Sequence, residues 1–158
     1  MSDQVSSLFS LAHSLLTLGQ DDSPIYVDHF TRLNRDVYEQ ALDLYSHHGS
    51  TTEAEAELCL GLLVAFIATV YDNGHKQRYI QRVLDRSFEV LPKLPPSLLK
   101  VRLLTYCYGE VYDEKLAEEA YAIIAKWRTS YLTVEQEAIF EELKTIKENP
   151  YPWEEVEE

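Results

Sequence analysis

The feature that most constrains this chain is "LCLGLLVAFIATVY", Leu58 to Tyr71, a run with no charged residue. It follows "TTEAE", where Thr52 and Glu55 have the spacing of a helix-capping box. The run is shorter than the roughly 20 residues that cross a bilayer, so it predicts no membrane span. A helix that is apolar on all sides must be surrounded by protein. The expectation is therefore a central helix over about 53–71, with Leu62, Leu63, Phe66 and Ile67 in the core.

Other helices must supply that enclosure, and apolar residues at three- and four-residue spacing provide them. The first runs over about 4–18 on Leu8, Leu11, Ala12, Leu15 and Leu16. The second, about 28–48, carries Phe30, Leu33, Val37, Ala41, Leu44 and Tyr45, with Gly49 in the usual position past a helix end. "DNG" at 72–74 turns the chain into a fourth helix reaching about Leu91. "PKLPPS" ends that helix and opens a fifth, which runs to about Tyr108 before Gly109. A sixth covers about 113–128 on Leu116, Ala120, Ile123, Ile124 and Trp127. The seventh starts at Thr133, with Gln136 three residues on, and uses Ile139, Leu143 and Ile146. No window alternates as a strand would. Short connections favour antiparallel neighbours, so the fold class is all-α, a single compact bundle of about seven antiparallel helices. Residues 1–148 form the bundle domain and 149–158 an acidic, aromatic tail, in which Tyr151 and Trp153 are a candidate secondary surface.

The 158 residues carry a net charge of −13. Binding to a phosphate backbone draws on Lys and Arg, so direct nucleic-acid binding is not expected. Cys59 and Cys107 lie within apolar patterns and have no CxxC partner, which predicts reduced, buried thiols. The amino terminus lacks a basic region ahead of its apolar residues and a small-residue cleavage site. A cytoplasmic protein without a signal peptide is the expectation.

Reactive chemistry is hard to find. His13, His29, His47, His48 and His75 form no HExxH and no Glu-x-x-His pair. His47 and His48 sit at a helix carboxyl end, where histidine has a structural explanation. Glycine-rich phosphate loops and GxSxG are lacking, and paired acids such as Glu118 with Glu119 fit solvated faces. The reading is a non-enzyme with no cofactor and no metal.

One segment opposes the acidic background. The formal net charge is −9 over 1–74, +5 over 75–102 and −9 over 103–158. Within it, Arg78, Arg82 and Arg86 recur every four residues, opposite Ile80, Val83, Leu84 and Leu91. Two uses compete: pairing with the protein's own acids, or contact with a partner through Lys76, Arg78, Arg82 and Arg86.

The phrases "DDSPIYVDHFTRLNRDVYEQALDLY", "VYDNGHKQRYIQRVLDR", "LPPSLLKVRLLTYCYGEVYDEKLAEEA" and "NPYPWEEVE" resemble the UpxZ family, small bacterial proteins encoded in capsular polysaccharide loci, over about 8–157. The resemblance implies a regulator that binds NusG-like antitermination factors, the UpxY proteins, of other capsule loci. One capsule operon would then be transcribed at a time. It carries no catalytic residues to this chain. A competing reading is a tetratricopeptide-like adaptor, since "LLTYCYGEVYDEKLAEEAYAIIAKW" loosely resembles one such hairpin, although no second copy follows at about 34 residues. An enzyme built around His75 beside the arginines is a third.

The acidic balance predicts no binding of random duplex DNA at physiological salt. A salt-sensitive mobility shift at micromolar protein would contradict it.

Overall fold

The computed structural model describes residues 3–18, 27–70, 75–127 and 131–148. Seven α-helices account for most of them, and no strand occurs among the described residues, which is the all-α class expected from the periodicity. The helices group into two compact units, Met1–Lys93 and Leu94–Glu158.

The first unit holds α1 (Asp3–Leu16), α2 (Val27–Tyr45), α3 (Thr52–Ala68) and α4 (Lys76–Val90). α3 packs against all three of the others. Its residues are buried without a break from Leu58 to Phe66, as a helix with no polar side requires. α1 contributes Val5, Leu8, Ala12 and Leu15; α4 contributes Ile80, Val83, Leu84, Ser87 and Val90. Gly61 brings α1 close, because a β-carbon placed there would already touch Val5 and Leu8 at 3.6 and 3.7 Å. Ile67, expected in the core, is only half-buried, because the enclosure ends at Phe66.

The fully buried Phe66 is the centre of an aromatic cluster drawn from three helices. Tyr79 of α4 stacks on it at 5.0 Å, and Tyr38 and Tyr45 of α2 meet it edge-on at 6.3 and 6.0 Å. Such pairs add directional energy to plain burial. Just beyond, Thr69 leaves the helical conformation, and the buried Asn34 accepts a 2.9 Å hydrogen bond from the Val70 N–H.

Both ends of the α2–α3 connection differ from the sequence reading. α2 stops at Tyr45 rather than near His48, and Gly49 does not close it. The glycine is required for another reason: a β-carbon at Gly49 would lie 2.1 Å from the Glu55 nitrogen. The cap of α3 is Thr51, not Thr52, and its hydroxyl accepts from the Ala54 N–H at 3.0 Å. Glu55 is therefore one residue too far along to complete a capping box and is free for other contacts.

The second unit comprises α5 (Leu98–Val111), α6 (Glu114–Trp127) and α7 (Val134–Glu148), with α5 packed on both partners. Ser97 caps α5 at the Lys100 N–H, so the prolines precede the helix instead of occupying its first turn. α5 runs through Gly109, where a β-carbon would meet Ile146 of α7 at 3.5 Å, and ends at Tyr112 in the left-handed conformation (φ 54°). Thr133 and Gln136, three residues apart at the expected start of α7, form a full reciprocal capping box. Polar bonds also tie the three helices: Tyr106 to both Glu142 oxygens at 2.9 and 2.8 Å, Tyr108 to Glu114 at 2.9 Å, and Glu114 to Lys147 at 2.7 Å. The buried Lys100 pairs with Glu119 at 2.7 Å.

Phe66→Ala is expected to cost about 3–5 kcal/mol by leaving a cavity among the tyrosines. Gly49→Ala should also destabilise, because the clashing atoms are backbone. Denaturant titration of both variants checks this, and a loss below about 1 kcal/mol for Phe66→Ala would remove α3 from the centre.

Candidate functional site: the basic face of α4

Four-residue spacing predicts three arginines on one outward face of α4. The structure separates them. A four-residue step overshoots a 3.6-residue turn by about 40°, so Arg86 lies about 80° around the helix from Arg78. That drift carries Arg86 toward α3, where its side chain is only 16% exposed.

There Arg86 is a structural clamp. Its Nε and Nη2 donate to the two Glu55 oxygens at 2.8 and 3.0 Å, while Nη1 and Nη2 donate to the carbonyls of Tyr45 and His47 at 3.2 and 2.8 Å. Glu55 also accepts from the Gly49 N–H at 2.8 Å, and His48 lies 3.8 Å away. One guanidinium thus holds the end of α2, the connection and the start of α3. Burial pushes the Glu55 carboxyl up, but the Arg86 and Gly49 hydrogen bonds outweigh it and hold the group below its ordinary value. Burial, together with the neighbouring Glu55 charge, pushes the Cys59 thiol up to about 12. Cys59 and Cys107 are buried free cysteines, and Cys59 is held in its protonated, unreactive form.

Lys76 is half-buried and reaches back to the Thr69 carbonyl, so its charge serves the end of α3. Arg78 and Arg82 remain exposed, and neither has a hydrogen-bond or ion-pair partner among the described residues. One turn on, Asp85 accepts from Gln81 at 3.0 Å and limits the basic surface to the first half of the helix. His75, the residue of the enzyme reading, is exposed at the amino end of α4 near Tyr79 and makes no side-chain capping bond. Among the described residues no three His, Cys, Asp or Glu side chains are placed to hold a metal ion, and no helix is long and apolar enough to cross a membrane. Tyr151 and Trp153 lie outside the described residues.

Similarity to known proteins gives this geometry a context. Residues 5–109, which include most of α1, all of α2–α4 and most of α5, match the UpxZ family of transcription anti-terminator antagonists. The chain belongs to the UpxZ family. The crystal structure of a transcription anti-terminator antagonist UpxZ from Bacteroides uniformis ATCC 8492 is 48% identical to it, with a TM-score of 0.88 over 98% of this chain and 97% of that one. No curated protein matches the sequence. A UpxZ-family role is regulatory and implies a protein partner, which directs attention to surfaces such as Arg78 and Arg82 and away from the Arg86 clamp.

The clamp carries its own expectation. Arg86→Met should cost about 2–3 kcal/mol, somewhat less than a fully buried pair broken on one side, because solvent still reaches both groups. Since Glu55 is depressed when folded, its contribution is complete above its ordinary value of 4.5 and is lost as pH falls below that value. Acid unfolding of Glu55→Gln should therefore lack this component, and equal pH dependence of variant and parent would contradict the clamp.

Proposed function

We propose that this chain is a non-enzymatic cytoplasmic regulator that binds and inhibits non-cognate NusG-like transcription antitermination factors. By doing so it keeps the capsular polysaccharide operons served by those factors from being transcribed together. The observation that carries this reading is membership of a family of transcription anti-terminator antagonists, with the match running through the whole first unit from Val5 onward. The physical character of the chain agrees with it. Antitermination factors work beside RNA and DNA and commonly carry basic surfaces, so a protein of net charge −13 is drawn to them at long range. Direct competition for nucleic acid is disfavoured by that same charge.

The test uses the purified chain, a NusG-like factor from another capsule locus of the same cell, and a transcription reporter that depends on that factor. Binding together with lowered read-through is the expected result. A factor that neither binds nor loses activity overturns the reading.

A further inference from the structure

The geometry points to the exposed Arg78–Arg82 face of α4 as the contact for an acidic patch on the protein partner; this assignment rests on the antagonist reading above. α4 packs its Ile80, Val83, Leu84, Ser87 and Val90 side against α3, which leaves the opposite side open. On that side Arg78 and Arg82 stand one turn apart and are exposed, with no partner among the described residues. The chain offers 27 acidic side chains, and an exposed cation without an ion pair among the described residues is not in itself distinctive, since Lys93, Lys115 and Lys144 are alike in this. Arg86, Lys100 and Lys147 have each found a carboxylate. Arg32 and Arg35 of α2 are exposed as well, but they stand among the exposed Asp28, Asp36 and Glu39 of their own helix. Arg78 and Arg82 instead occupy the one stretch of sequence with net positive charge.

The surroundings define the occupant. No acidic residue lies in the first turn of α4, so the helix dipole adds to the guanidinium field there. Farther along, Asp85 and the exposed Glu89 reverse the sign. A continuous phosphate backbone would meet those acids and the acidic remainder of the chain. A compact carboxylate cluster spanning about one helical turn fits the Arg78–Arg82 pair alone. Each arginine fork can engage a carboxylate through two hydrogen bonds, a geometry that lysine does not reproduce. Long-range attraction of a basic factor to the acidic chain and local recognition of its carboxylates by this face are then separate steps, one governing encounter and the other orientation.

The experiment measures affinity for a purified NusG-like factor from another capsule locus at two salt concentrations. It compares the unaltered chain, Arg78→Glu/Arg82→Glu, Arg78→Gln/Arg82→Gln, and Arg32→Gln/Arg35→Gln, a control at exposed arginines of α2. Thermal unfolding establishes that each variant is folded, which both α4 pairs should be because they alter solvent-facing groups. The α4 pairs are expected to weaken binding about tenfold or more, with the charge reversal worse than the neutral change, and the α2 pair about twofold at most. Full affinity in the folded α4 variants overturns the face while leaving the antagonist reading intact. An equal loss in the α2 control also overturns it, since bulk charge would then explain the effect. Absence of binding by the unaltered chain overturns the antagonist reading and this assignment with it. Binding of a random 20-base-pair duplex that the α4 variants abolish would assign the face to phosphate and likewise overturn it.

Discussion

A helix without a polar side can exist in water only when other helices close around it, and α3 imposes that condition on the whole first unit. α1, α2 and α4 each spend their apolar stripe on it. Their outward sides are what remains for recognition. The consequence for α4 is direct: its inner positions are fixed by Phe66 and its neighbours, so its outer positions can be chosen for charge with little penalty to the core. A regulator that works through a surface benefits from this division between a rigid interior and a solvent-facing side.

The same unit uses ionic chemistry in two different ways. Arg86 and Glu55 are partly withdrawn from water, and their value lies in three sets of hydrogen bonds made at once: to the carboxylate, to the end of α2 and to the connection. Arg78 and Arg82 are exposed and make no comparable contact among the described residues. Residues that share a type, a helix and a regular spacing therefore do unlike work, distinguished by their angle around the helix and by what approaches them.

Much of the architecture is legible because apolar periodicity survives in a single sequence. The helix class follows from apolar spacing, the central place of the helix expected near 53–71 from its unbroken apolar run, and the start of α7 from Thr133 with Gln136 three residues on. The departures share a cause, which is that local patterns do not reveal tertiary neighbours. Thr51 and Thr52 are equally good caps by chemistry, and only the backbone path past Gly49 decides between them. Gly109 has the chemistry of a stop, yet it lies within α5 where Ile146 approaches. Arg86 reads as exposed only while a four-residue spacing is treated as a straight line along the helix. Its partner Glu55 gives no warning in the sequence, because its spacing from Thr52 suits a cap equally well. The basic half of α4 can be read from charge, but which of its cations are engaged within the fold cannot.

Tyr112 shows a connection between helices whose conformation the packed helices must impose. Its left-handed backbone at φ 54° is sterically unfavourable for a tyrosine, and its ring meets that of Tyr108 edge-on at 5.5 Å. Glycine would relieve the backbone strain, but it would also forfeit the ring contact and enlarge the set of conformations the unfolded chain explores. With only Tyr112 and Asp113 between α5 and α6, the loop is minimal, and its left-handed residue takes a conformation that tyrosine seldom samples before those helices meet. The contacts of the α5–α6 pair are close in sequence, and it is their packing that holds the strained turn between the two helices in place.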